Sequence, residues 1–300
     1  MKGLNNYAFF WGCSIQARFP FMEKSVRVIL DALKVPYKDI DGFTCCPEKV
    51  LVKNLNGNLW KVLAARNVAL AESQGLGIMT ICTGCYSSLK TASSSIKCNP
   101  NEQKLVNEKL KEVGLSFNGN GFVKHFIEYL HDECGMGKIK DKMVKSLRGL
   151  KFAIHGGCHL VRPSKAVHFD HPLKPKKFDK LVEVLGGKVI NSKLKNMCCG
   201  GSVDRAGQHD NALKIAKKKL DDFHKSGVDA IVLVCPECFK VFDNYQFLLT
   251  KNGSDYSLPV ITLPELMGLT FGYTPETLGM DFHRMDTAPF IEKFERVNKR

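Results

Sequence analysis

Apolar and polar positions along this 300-residue chain run through the same succession twice. Each half opens on an apolar stretch ending in Gly-Cys, Tyr7-Ala-Phe-Phe-Trp-Gly-Cys13 and Phe152-Ala-Ile-His-Gly-Gly-Cys158, which align position for position. Val26, Ile29, Leu30 and Leu33 follow in the first half, and Phe178, Leu181, Val182 and Leu185 in the second. Both sets keep the i, i+3, i+4, i+7 spacing that gathers apolar side chains on one face of a helix. Short strands are predicted next, near residues 35–40 and 188–191. Second helices are predicted over 59–72 and 211–223, each closed by a glycine, Gly75 and Gly227, suited to a left-handed C-terminal cap. Residues 78–82 and 230–235 are then apolar without alternation, the composition of strands covered on both faces.

Strand, helix, strand, helix, strand implies a parallel sheet with right-handed crossovers. The expected class is therefore α/β, with two similar parallel-sheet domains over 1–150 and 151–300 related by internal duplication and a pseudo-twofold. Residues 123–130 and 260–267 are also similar, with Glu128 opposite Glu265, which extends the repeat. Between the repeats, 93–121 reads as a polar loop plus a charged helix over 102–113, and 135–148 as a basic connector. Sites in such sheets lie at the carboxyl ends of strands.

Cysteine changes the picture. Of twelve, ten form one irregular pattern twice: Cys13, Cys45-Cys46 and Cys82-Thr-Gly-Cys85, then Cys158, Cys198-Cys199 and Cys235-Pro-Glu-Cys238. The spacers from lone cysteine to pair are 31 and 39 residues, and from pair to Cys-x-x-Cys 35 and 35. Cys13, Cys82, Cys158 and Cys235 all fall at predicted strand ends. Five soft sulfur donors in one place point to a metal centre. A structural zinc site takes four ligands, commonly as two close pairs. Here each half has one Cys-x-x-Cys and a fifth thiol to spare. Adjacent residues of an extended chain point to opposite faces and chelate one tetrahedral ion poorly, which favours iron–sulfur over zinc. A simple cubane leaves the fifth thiol unexplained. Cys98 and Cys134 have no counterparts and are expected to be buried or incidental thiols outside the centres.

The formal charge of +14 is carried by both halves and suits an anionic partner. No compact Lys/Arg run with interleaved aromatics points to nucleic acid. No run of 18 apolar residues and no signal-peptide pattern are present, so the expected location is the cytoplasm, where thiols stay reduced. Arg18 and Arg162 follow the first cysteine of each half, and Arg205 follows the second pair; these are candidate anion ligands. Lys90 and Lys240 read as surface residues. His155, His159 and His209 lie near motif cysteines and are candidate proton donors, with hydrogen bonding to sulfur as the alternative. His283-Arg284 is not placed by the sequence.

The order lone Cys, Cys-Cys, Cys-x-x-Cys, with Cys46-Pro47 in one half and Cys198-Cys199-Gly200-Gly201 in the other, resembles the duplicated cysteine-rich CCG domain. It is most similar to the family of catalytic B subunits of methanogen-type heterodisulfide reductase. That resemblance covers nearly the whole chain. It implies two noncubane 4Fe-4S clusters, one on Cys13, Cys45, Cys46, Cys82 and Cys85, the other on Cys158, Cys198, Cys199, Cys235 and Cys238. It also implies reduction of the coenzyme M–coenzyme B heterodisulfide to two thiols in methanogenesis. Implied partners are a ferredoxin-like iron–sulfur subunit and a flavin-containing subunit, with hydrogenase or formate dehydrogenase upstream. Two other readings stay open: an iron–sulfur electron-transfer subunit of a hydroxy-acid oxidase or succinate/fumarate-type enzyme, and a zinc-stabilised interaction module.

Overall fold

The computed structural model describes residues 7–251 and 253–299. Its strands form two sheets of four. The first contains β1 (Tyr7–Phe9), β2 (Tyr37–Lys38), β3 (Gly77–Thr80) and β4 (Val123–His125), in the order β2-β1-β3-β4. The second repeats that order with β5 (Lys151–His155), β6 (Lys188–Ile190), β7 (Ala230–Leu233) and β8 (Val260–Thr262), as β6-β5-β7-β8. Every pairing is parallel, with Tyr7 opposite Gly77 in the first sheet and Phe152 opposite Ala230 in the second. The chain leaves β1 to one side, returns past it to β3, and so creates a switch point between β1 and β3, and again between β5 and β7. Ligand sites of wound sheets lie at that point, beyond the carboxyl ends of the strands.

The predicted elements are present, with shifted ends. The second helices run Gly57–Ser73 and His209–Lys225. Gly75 and Gly227 follow them with φ of +68° and +61°, the left-handed conformation their positions call for. The strands expected at 35–40 and 78–82 are shorter, because pairing stops where the chain turns into cysteine-bearing loops and helices. Residues 93–97 correct the loop expectation: they finish a helix, Thr83–Lys97, whose small serines pack without crowding. The charged helix runs Pro100–Leu110 with a 3-10 turn to Val113. Part of the basic connector, Met136–Lys140, is also helical.

The match between 123–130 and 260–267 has a physical basis. Glu128 and Glu265 each turn back to accept the backbone N–H at the end of the fourth strand, His125 at 3.2 Å and Thr262 at 2.7 Å. In the second sheet Thr262 also caps the helix Leu263–Thr270, completing a capping box.

The chain forms two compact units whose segments alternate along the sequence. The first comprises residues up to Cys13, Val35–Tyr129 and His159–Pro172; the second comprises Ser14–Lys34, Leu130–Cys158 and residues from Leu173 onward. A cut near residue 150 separates the sheets but not these units. The helix Pro20–Ala32 connects β1 to β2 in sequence, yet it packs within the second unit against Leu263–Thr270. Its predicted stripe of Val26, Ile29 and Leu30 is fully buried there, worth roughly 1.5–3 kcal/mol per side chain. Within the first unit, residues 159–172 pack on Thr83–Lys97, where the Tyr86 hydroxyl donates to Val167 O at 3.0 Å.

Candidate metal centres

In the first unit, three loops at the carboxyl ends of β1, β2 and β3 carry the five motif cysteines. Cys82 stands at the N-cap of the helix Thr83–Lys97 and Cys85 sits in its first turn, where the positive end of the helix dipole favours thiolate. Asn67, fully buried on Gly57–Ser73, fixes the loop that presents the pair. Its Oδ1 accepts the Thr44 N–H at 2.8 Å, and its Nδ2 donates to Cys45 O at 3.1 Å. The thiols act on one another in a chain, Cys13 with Cys45, Cys45 with Cys46, Cys46 with Cys85 and Cys85 with Cys82.

The second unit repeats that chain in the same order: Cys158 to Cys198, Cys198 to Cys199, Cys199 to Cys238 and Cys238 to Cys235. Cys199 Sγ lies 3.5 Å from Cys238 Sγ. Ligands around one tetrahedral ion with metal–sulfur bonds of about 2.3 Å stand roughly 3.8 Å apart, so the thiols are already near ligand spacing. Cys235 stands at the N-cap of the helix Pro236–Phe239 as Cys82 does at its own. The N–H groups of Gly200 and Gly201 point at Cys198 Sγ and Cys199 Sγ, at 3.3 and 3.4 Å. Gly200 has φ +99°, and a Cβ there would lie 2.9 Å from Ala212 O, so this turn admits only glycine.

Both chains run from an open end to a closed one. Cys13 and Cys45 are exposed and Cys158 and Cys198 half-buried, whereas Cys46, Cys82, Cys85, Cys199, Cys235 and Cys238 are buried. Hydrogen bonding with Cys46 and Cys82, together with burial, pushes the Cys85 thiol up; Cys199 and Cys235 do the same to Cys238. Hydrogen bonds from Cys158 and Cys199 pull Cys198 down to about 2, while its bond with Cys198 pushes Cys199 up to about 12. Cys45, Cys85, Cys158, Cys199 and Cys238 thus hold protons that a metal would displace. In the second unit the sulfurs of Cys199 and Cys238 and a ring nitrogen of His155 all lie within 4.8 Å of one another and are buried, and this sulfur-rich, dry set fits an iron–sulfur group. Cys98 is exposed and Cys134 half-buried, and neither joins a quintet.

The other candidate residues separate. His155 is buried with Nε2 at 3.2 Å from Cys238 Sγ, and burial holds its imidazole well below the ordinary range. His159 belongs to the first unit, where its Nδ1 would lie 3.9 Å from a Cβ on Gly84, between Cys82 and Cys85. His209 is exposed and bonded to Asp204 at 2.6 Å. Arg205 is tied to Glu237, inside the second Cys-x-x-Cys, and to Ser14 at 3.2 Å. Arg18 lines a cleft of about 400 Å³ in the second unit with Phe21, Phe239, Lys240 and Arg284. Arg162 is exposed in the first unit, its carbonyl accepting from Lys49 at 3.0 Å and Ser87 at 2.9 Å. Sequence reasoning did not single out Asn67 or its counterpart Lys219, although each is a polar residue inside an apolar helical stripe.

A model of the CCG cysteine-rich domain matches residues 7–90 and again 152–243. Over 297 residues the chain is 37% identical to the B subunit of the ferredoxin:CoB-CoM heterodisulfide reductase of Methanosarcina mazei, covering 98% of this chain and 99% of that one. It is 29% identical over 292 residues to the 8-methylmenaquinol:fumarate reductase membrane anchor subunit of Wolinella succinogenes, covering 94% and 98%. Among the described residues no helix is long and apolar enough to cross a membrane. A solved structure of a hypothetical protein from Helicobacter pylori shares the fold with a TM-score of 0.74 at 15% identity, over 95% of this chain and 53% of that one. The chain thus spans about half of that solved protein.

Proposed function

Because the chain belongs to the family of duplicated CCG cysteine-rich domains that includes the heterodisulfide reductase B subunit, we propose that it is the catalytic subunit that reduces the coenzyme M–coenzyme B heterodisulfide. The reaction takes one disulfide, two electrons and two protons to two thiols. The observation that carries this reading is the pair of five-thiol chains with one linking order, in a chain similar to that subunit along its whole length. Cys13, Cys45, Cys46, Cys82 and Cys85 would hold one noncubane 4Fe-4S cluster, and Cys158, Cys198, Cys199, Cys235 and Cys238 the other. When bound, these clusters supply the electrons that cleave the sulfur–sulfur bond.

The protein's own groups do the rest. Cys13 and Cys45, with Cys158 and Cys198, leave an approach open on the exposed side of each quintet. Arg18, Lys240 and Arg284 face one cleft, and guanidinium groups suit sulfonate, phosphate and carboxylate ends. His155 is engaged with Cys238 sulfur as a neutral imidazole, which leaves His159, beside the first Cys-x-x-Cys, as the better proton donor. Electrons come from partners, a ferredoxin-like iron–sulfur subunit and a flavin-containing subunit fed by hydrogenase or formate dehydrogenase, in the cytoplasm.

The similarity to the Wolinella protein favours one second reading, electron relay in a fumarate-reductase-type complex. Protein purified without oxygen is expected to contain iron and acid-labile sulfide, and to reduce the mixed disulfide with an artificial one-electron reductant. Iron-replete protein that leaves the disulfide intact favours relay; two zinc ions without sulfide would rule out both readings.

Gly12 gives a local check. Its φ is +74°, and a Cβ would lie 2.8 Å from Cys85 Sγ. Gly12→Ala is expected to cost roughly 1–2 kcal/mol in backbone strain and to displace Cys85. Iron bound per chain should fall while the helical circular-dichroism signal stays near that of the parent.

A further inference from the structure

Asn67 and Lys219 occupy equivalent places, each eight residues before the glycine, Gly75 or Gly227, that closes its helix. They do the same mechanical work. Asn67 grips the backbone of Thr44 and Cys45, and Lys219 donates its three ammonium protons to Leu194 O at 2.9 Å, Lys195 O at 3.0 Å and Met197 O at 2.6 Å. Each thus shapes the loop that presents its Cys-Cys pair. They differ in charge.

Lys219 is fully buried and lies 5.4 Å from the Phe223 ring, and among the described residues no carboxylate bonds to it. A buried ammonium without a counter-charge is costly. Its ammonium sits beside the second quintet, bonded to the carbonyl of Met197, the residue before Cys198, and the sulfurs Cys199, Cys238, Cys198 and Cys158 favour its charge. Burial lowers its ionisation to about 8, which still leaves it mainly charged at neutral pH. The other cations near this quintet are already matched, Arg205 by Glu237 and Lys240 by Asp204. A second difference goes with it: His155, whose Nε2 lies 3.2 Å from Cys238 sulfur, aligns with Phe10, which is apolar.

We propose that Lys219 sets an inequality between the two centres, raising the reduction potential of the one held by Cys158, Cys198, Cys199, Cys235 and Cys238 above that of its twin, so that the first electron resides in the second unit. The inference rests on the reading that both quintets hold iron–sulfur clusters. Reduction adds one negative charge, and a fixed buried cation stabilises it, as hydrogen bonds to cluster sulfur also do. Lys219 acts here as a positioning residue for the pair and as a source of field.

The test is a redox titration of the anaerobically purified protein followed by electron paramagnetic resonance, with iron and sulfide measured on each sample. Two single-centre variants give the order without touching Lys219. The centre left in Cys82→Ala should titrate higher than the centre left in Cys235→Ala. Lys219→Asn, which installs the residue of the first unit, should lower one potential by about 59 mV or more, tenfold in a one-electron equilibrium, and leave the other in place. Lys219→Arg should restore it. Equal or reversed potentials in the single-centre variants overturn the inference, as does an unmoved potential in iron-replete Lys219→Asn or an equal fall in Lys219→Arg. Absence of iron and sulfide from the parent protein would instead overturn the cluster reading itself.

Discussion

Replacing Cys235 by alanine is expected to remove about half of the iron and acid-labile sulfide and to abolish disulfide reduction. Cys235 stands at the closed end of the second thiol chain, at the N-cap of Pro236–Phe239 and bonded to Cys238. No neighbouring thiol can take its place, because Cys199 and Cys238 are engaged with each other and Cys158 with Cys198. Cys82→Ala should have the mirror effect on the first centre, for Cys82 stands at the N-cap of Thr83–Lys97 and bonds Cys85 in the same way. A reaction that needs two electrons and centres that pass them singly should lose turnover in either variant. Metal and sulfide analysis beside an anaerobic assay reads both effects. Full turnover in both variants would refute the two-centre mechanism.

Much of this arrangement is legible in the residues, for reasons that can be named. The stripe Val26, Ile29, Leu30, Leu33 gives the buried face of a helix, because 3.6-residue periodicity is a local property. It does not say what that face meets. That Pro20–Ala32 belongs to the second unit depends on contacts with a segment more than two hundred residues away. The ten cysteines are legible as two quintets from spacing, whereas the order in which the thiols link requires the geometry of the loops. His209 shows the weakness of nearness in sequence: it follows the second pair closely yet is exposed and turned to Asp204. Lys219 shows a signal left unread. On His209–Lys225 it sits in register with Ala212, Ala216, Leu220 and Phe223, so the helix that buries them buries an ammonium as well. Asn67 stands likewise among Ala64, Val68 and Ala71.

The behaviour of Glu265 tests whether the fold behind the second centre is held as described. Its side chain is fully buried, accepts the Thr262 N–H at 2.7 Å and meets His283 Nε2 at 2.9 Å. His283 in turn packs between Phe21 and Phe239, the residue after Cys238, with ring centroids at 5.0 and 4.8 Å. Glu265→Ala removes one member of a buried pair and leaves the other without its counter-charge, a change that typically costs about 3–5 kcal/mol. The denaturant midpoint should fall accordingly, and Glu265→Gln, which keeps the acceptor and loses the charge, should recover part of it. The loss should also depend on pH. Burial alone would lower the ionisation of His283, but attraction and hydrogen bonding to Glu265, joined by attraction to Asp243 and a backbone hydrogen bond at Val260, outweigh it and hold it above 6.5. A raised histidine stabilises the fold fully below its unfolded value near 6.5, and that contribution disappears as pH rises through the higher folded value. In the alanine variant burial, which penalises protonation, is opposed only by attraction to Asp243 and the backbone hydrogen bond at Val260, so the histidine gains less from its charge. The stability gap between parent and Glu265→Ala should therefore be wider at pH 6 than at pH 8.5, measured by urea unfolding at both. A gap independent of pH would mean that the imidazole is neutral in the parent and that packing alone holds this corner.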